Sequence, residues 1–213
     1  MTEGGIRMHD QMPFVYLLAV RDELADAFRL AFADMENVII VQDDFESFMA
    51  SHPEVDGIVS PANSFGMMTG GLDKTLRDYF GMALQEAVRD VILTQCFGEQ
   101  TVGTSIAVDI PGCSGKKLIH TPTMRTPSVI IDYQTVYLCM RSALAAAIKS
   151  GVRYLMVPAF GGSTGKVPAN VIASNMREAY EQIKDQLECP HKETFRTAGK
   201  RNVIRGNESD SFQ

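Results

Sequence analysis

Residues 56–73 read Asp-Gly-Ile-Val-Ser-Pro-Ala-Asn-Ser-Phe-Gly-Met-Met-Thr-Gly-Gly-Leu-Asp, an apolar strand that runs into an Asn and then a Gly pair. Gly57-Ile58-Val59 is short, apolar and β-branched, as expected of a strand buried on both faces of a parallel sheet. From Leu72 the period changes: Leu72, Leu76, Phe80, Ala83, Leu84, Ala87, Val88 and Val91 recur at helical spacing. Gly70-Gly71 therefore stands where a loop enters a helix. Such a junction attracts anions, because its backbone N–H groups are unpaired, the helix dipole is positive there, and glycine lets a ligand approach closely. The same residues also fit a plain turn, with Asp73 as a favourable first-turn acid.

A second segment repeats the arrangement. Tyr154-Leu155-Met156-Val157 reads as a buried strand and leads into Pro158-Ala159-Phe160-Gly161-Gly162-Ser163-Thr164-Gly165-Lys166-Val167-Pro168. A helix follows, with Ile172, Met176, Ala179, Tyr180, Ile183 and Leu187 as its apolar stripe and Pro168 at its start. This loop lacks the glycine spacing and the Ser/Thr of a Walker A loop. No G-x-G-x-x-G opens a helix either. Two glycine loops at one edge of a sheet can clamp a nucleotide diphosphate between them. Asn63, at the carboxyl end of the first strand, could then donate to and accept from a ribose hydroxyl.

In this order the motifs resemble those of the macrodomains, a family that binds ADP-ribose. Ser60-Pro61-Ala62-Asn63 falls on the family's Asn-Ala-Ala-Asn, Gly70-Gly71 on the end of its glycine run, and Leu72-Asp73-Lys74 on its Val-Asp-Gly. Lys117-Leu118-Ile119-His120-Thr121 is similar to the strand ending in His-Thr, and Pro158 to Gly165 to the second loop. Val41-Gln42-Asp43-Asp44-Phe45 resembles the strand and Gly-Asp-Ile that contact adenine. The resemblance runs from about Phe14 to Leu187. Three departures stand out: Ser60 replaces the first Asn, Met67-Met68-Thr69 interrupts the glycine run, and Lys74 replaces a Gly, as a counter-charge or as a solvated side chain.

The resemblance implies a three-layer α/β/α domain with a mixed, mostly parallel sheet, spanning residues 13–205 between a flexible segment 1–12 and a disordered tail 206–213. It also implies a site. Asp44 would accept from the adenine amino group, the Gly70-Gly71 and Ser163-Thr164-Gly165 backbones would hold the diphosphate, and Phe45, Ala62, Leu72, Gly161, Gly162 and Lys166 would also contact the ligand. Asn63 would orient the distal ribose, Asp73 would activate or position a water, and His120 would act as acid or base unless it is structural. Phe160 is either the aromatic that stacks on adenine or a core residue. The implied activity is hydrolysis at the distal ribose of ADP-ribose-1''-phosphate, O-acetyl-ADP-ribose or an ADP-ribosylated protein, with no cofactor and no metal. The alternatives are a reader that binds without turnover, or an accessory protein with a degenerate pocket.

Composition fits one domain: 213 residues, 45% hydrophobic and 22% charged. A net charge of −6 argues against general nucleic-acid binding, which needs a positive footprint. Apolar runs such as Phe14–Val20 are too short to span a membrane and the first residues have no signal-peptide layout, so a cytoplasmic setting is expected. Cys96, Cys113, Cys139 and Cys189 lack metal-site spacing and read as reduced thiols. His9, His52 and His191 fall in loops. The expected elements are strands at Phe14–Val20, Val38–Val41, Gly57–Val59, Ser105–Asp109, Leu118–Thr121 and Tyr154–Val157. Helices are expected near Asp22–Ala33, Phe45–Ser51, from Leu72 in one piece to Thr94, Tyr133–Ser150, and after Pro168; Asn202–Arg205 is a candidate terminal strand.

Overall fold

The computed structural model describes residues 11–189. Strands β1 (Phe14–Leu18), β2 (Val38–Val41), β3 (Gly57–Asn63), β4 (Ile106–Asp109), β5 (Lys117–Met124) and β6 (Tyr154–Pro158) form one sheet in the order β2-β1-β6-β3-β5-β4. All neighbours run parallel except β4, which is antiparallel to β5 at the edge. Helices α1 (Asp22–Ala31), α5 (Gln134–Lys149) and α6 (Ala169–Glu188) cover one face, and α2 (Phe45–Ser51), α3 (Gly71–Phe80) and α4 (Met82–Gln95) the other.

The central strands are apolar on both sides because both sides are covered. Val59, Ile119, Leu155 and Val157 enter the α1/α5/α6 core, while Ile58, Leu118 and Met156 enter the α2/α3/α4 core; all seven are fully buried. The Asp56 carboxylate accepts from the backbone N–H groups of Arg153 and Tyr154 at 2.8–3.2 Å, pinning the start of β3 to that of β6. The two glycine-bearing loops therefore leave the sheet from neighbouring strands. One leaves towards α3 and the other towards α6, which lie on opposite faces, so a crevice opens between them at the carboxyl edge.

The expectations for one helix and two strands need adjusting. The helix expected from Leu72 to Thr94 is two helices: Gly81, with φ +91°, ends α3 and starts α4. The apolar stripe runs through the break because Leu76, Leu84, Val88 and Ile92 all reach the same core. β3 and β5 both extend beyond their apolar cores, through Asn63 and Met124, pairing in parallel with a register shift between Ala62 and Asn63. The candidate strand Asn202–Arg205, like His9 and His191, lies outside the described residues. The expected hairpin around Gly112–Gly115 is present as the β4–β5 pair.

Two stability measurements follow from this packing. Leu118→Ala empties a fully buried position between sheet and helices and is expected to lower stability by about 2–5 kcal/mol in urea unfolding. Gly81→Ala meets open space but is forced to a positive φ, so a loss of about 1 kcal/mol is expected in the same assay.

Candidate functional site

The β3 loop is knitted together by its own Asn. Asn63 Oδ1 accepts from the N–H groups of Phe65 (3.1 Å) and Met67 (3.3 Å), and Asn63 Nδ2 donates to the Met67 carbonyl at 2.8 Å. Met68 is fully buried, and its N–H donates to Gln85 Oε1 on α4 at 2.9 Å. Met68, one of the methionines that interrupt the glycine run, thus anchors the loop to the helix layer, while Met67 stays exposed. Gly70 caps α3, and Gly71 enters the helix with φ +56° and nothing within 4 Å of a Cβ built on it. The helix N-terminus is therefore open to the crevice.

The β6 loop is tight by contrast. A Cβ on Gly165 would fall 2.7 Å from the Gly161 carbonyl oxygen and 2.7 Å from Ile130 Cδ1, so the loop closes on itself only with glycine there. Val167 N–H donates to the Gly161 carbonyl at 3.1 Å, and Ile130 N–H donates to the Gly165 carbonyl at 2.9 Å. From β1's end, Arg21 Nη2 donates to the Gly162 carbonyl at 3.0 Å.

Between the loops lies a cleft of about 320 Å³. Ala62, Asn63, Gly70, Gly71, Leu72, Asp73, Gly161, Gly162, Ser163, Thr164 and Gly165 all line it, joined by Pro61, Met67, Thr69, Thr123, Met124, Pro127, Pro158 and Ala159. A second hollow of about 310 Å³ shares Leu72, Pro158, Ala159, Gly162 and Ser163 with the first and adds Leu18, Val20, Arg21, Leu24 and Phe45. The two form one groove, glycine-rich in the middle and apolar at the α1/α2 end.

Asp73 is the most perturbed group in the groove. Only 5% exposed, it accepts from the Ser60 hydroxyl. Burial pushes its carboxyl up to about 7, against the opposing effect of that hydrogen bond.

Four expected site residues line neither hollow. His120 is not at a strand end facing the crevice: it sits inside β5, fully buried, with Nδ1 2.7 Å from Gln100 Oε1, and burial holds its imidazole down to about 4. Phe160 is fully buried in the α1/α5/α6 core and is no stacking platform. Lys166 is exposed and lines neither hollow. Asp44 is the N-cap of α2 and accepts from Ser47 N–H (2.9 Å) and Ser47 Oγ (3.0 Å), bonds that hold its carboxyl below the usual range. Lys74 points away and pairs with Asp78, the solvated alternative. Cys139 is core, its thiol pushed up to about 12 by burial.

Leu18, Val20, Arg21 and Leu24 were not singled out from the sequence. Their signal was topological: a parallel strand ending at Leu18 must deliver the next residues to the same edge as Asn63 and Pro158.

Comparisons with known proteins agree with this geometry. The Macro domain family profile matches residues 59–176, more than half of the chain. An uncharacterized protein of Aquifex aeolicus is 31% identical over 144 residues, which is 66% of this chain and 83% of that protein. The macrodomain of Mycobacterium tuberculosis DarG superposes with a TM-score of 0.52 over 61% of this chain and 84% of that one, at 18% identity. The Oceanobacillus iheyensis macrodomain with ADP gives 0.53 over 63% and 71%, at 19% identity. With its family profile spanning both glycine loops and its sheet shared with those structures, the chain belongs to the macrodomain family.

Proposed function

We propose that the groove binds ADP-ribose or a derivative of it and that Asp73 serves hydrolysis of a bond at the distal ribose. The observation that carries this reading is the continuity of the two hollows: an apolar end, a glycine-lined middle and a carboxyl group at the far end match an adenosine, a diphosphate and a reacting sugar in that order. The flat base would lie among Leu18, Val20, Leu24 and Phe45, whose ring is itself held edge-on by Tyr79 and Phe80. Backbone N–H groups at the start of α3 and in the 161–165 loop would face the diphosphate. The Oceanobacillus iheyensis macrodomain, solved with ADP and, in a variant form, with ADPR, accommodates such ligands in the same fold.

A carboxyl that titrates near neutral pH is matched to taking a proton from water at physiological pH. The water would give its proton to Asp73 as its oxygen bonds to the attacked atom, and the proton would pass to the departing group. Adjacent phosphates would raise the proton affinity of Asp73 further. The substrates that fit are ADP-ribose-1''-phosphate, O-acetyl-ADP-ribose and ADP-ribosylated protein. A second reading, binding without turnover, is favoured by one observation: the Asn63 amide already spans its own loop, and reorienting a ribose would break those bonds. Such a role, on dissolved nucleotides or modified proteins, is proposed for the cytoplasm. Among the described residues no helix is long and apolar enough to cross a membrane.

Calorimetric titration with ADP-ribose tests the groove. Wild type is expected to bind, and Gly71→Glu, which projects a carboxylate into the open space at the helix start, to bind at least about 100-fold more weakly. Absence of wild-type binding would sink the proposal. Incubating the three substrates with Asp73→Ala tests turnover: binding is kept and the rate falls by about 100-fold or more, whereas a wild type that binds and yields no product is a reader.

The raised carboxyl also predicts how stability varies with pH. Because the folded group titrates near 7 and the unfolded one near 3.8, the native state holds the extra proton between these values, so the Asp73 contribution falls as pH rises through this window. Asp73→Asn removes the penalty. Relative to wild type it is expected to gain on the order of 1–3 kcal/mol at pH 8, with the gain vanishing below about pH 4, read from urea unfolding at each pH.

A further inference from the structure

Under the floor of the cleft, two central strands carry polar side chains where their neighbours are apolar. Ser60 on β3 and His120 on β5 are register partners, both fully buried. Each stands two residues beyond a member of the α2/α3/α4 core, Ile58 and Leu118, so both project from that face of the sheet. Asp73 of α3 descends onto the same face and receives the Ser60 hydroxyl.

Gln100 fixes the imidazole. Its Nε2 donates to the carbonyls of Thr104 (3.1 Å) and His120 (3.2 Å), so its Oε1 is the acceptor that faces His120 Nδ1 at 2.7 Å. The imidazole proton is therefore on Nδ1, and Nε2 is a bare acceptor. That atom is buried and has no hydrogen-bond partner. An unmet buried acceptor is costly, and a native structure that keeps one calls for a reason.

Asp73 supplies one. A carboxylate only accepts, whereas a carboxylic acid must also donate. With Asp73 charged, the Ser60 O–H is committed to it. With Asp73 protonated, the acid O–H can donate to Ser60 Oγ, and the serine proton is released to another acceptor on that face. Burial is the main influence on Asp73, and the Ser60 hydrogen bond opposes it. On its own helix, Lys74 and Arg77 both pair with Asp78. Glu86, Arg89 and Asp90 of α4 are exposed, and Lys166 stands outside the cleft lining. His120 is the titratable group that β5 brings to this face.

We propose that Ser60 and His120 are positioning residues for Asp73, in which the Ser60 hydroxyl donates to the charged carboxylate and turns to His120 Nε2 once Asp73 has taken up a proton. The catalytic use of this relay rests on the hydrolytic reading above: the proton broken from the attacking water stays on Asp73, steadied by Ser60 and His120, until the departing group claims it.

The test is a ¹³C NMR titration of the Asp73 carboxyl, assigned with Asp73→Asn, in wild type, Ser60→Ala, His120→Asn and the double variant. Asn keeps a donor for Gln100 and removes the Nε2 acceptor. Ser60→Ala is expected to raise the Asp73 midpoint by about one pH unit and His120→Asn to lower it by about half a unit. In the Ser60→Ala background His120→Asn is expected to change nothing more, because the connecting hydroxyl is gone. Single variants that move the midpoint in the same direction, as altered burial would, or a His120 effect that persists without Ser60, would overturn the relay. If His120→Asn does not fold, the wild-type ¹⁵N resonance of His120 Nε2 decides: it shifts as Asp73 takes up its proton if the relay exists, and stays fixed if it does not. The readout needs no turnover, so shifts seen in a protein that yields no product would uphold the relay and reject hydrolysis.

Discussion

The structure depends on a parallel sheet buried on both faces. Strands β1, β6, β3 and β5 lie side by side between two apolar helix layers, which sends most polar chemistry to the carboxyl edge, where the strands give way to loops, and leaves Ser60, His120, Thr121 and Thr123 as buried exceptions on β3 and β5. The proposed groove follows from that arrangement. The two glycine loops meet there because β3 and β6 are adjacent, and they part there because their helices pack on opposite faces.

Within this frame the loops solve different problems. The β3 loop needs an open helix start, and Gly71 leaves its Cβ side empty. The β6 loop needs compactness, and Gly161 and Gly165 let its backbone fold against Ile130 and Val167. The glycine at the start of α3 faces open space, whereas those of the β6 loop let the chain fold tightly on itself.

The sequence revealed the strand cores, both glycine loops and the alternation that makes the three layers, because buried strands and amphipathic helices leave different periods. It did not show the break at Gly81, since Leu76 and Leu84 feed one core and the apolar period survives the change of direction. Nor did it separate Phe160 from the cleft, because neighbours along a loop can point to opposite sides: Ala159 lines the groove and Phe160 the core. His120 was legible as unusual, but its depth was not, because β5 runs on through Thr121, Pro122 and Thr123 before reaching the edge. Arg21 carried no local signal at all; its place depends on where β1 lies in the sheet.

Arg21 also bears on the polarity of the groove. A loop that is to face an anion must turn its carbonyl oxygens elsewhere, and the Gly162 carbonyl is drawn off by a guanidinium from a different part of the chain. If the 161–165 loop holds the diphosphate as proposed, its polarity is set partly by the β1–α1 junction. Homologues with identical glycine loops can differ in ligand preference according to what that junction supplies, so a comparison confined to the glycine motifs would overlook the difference.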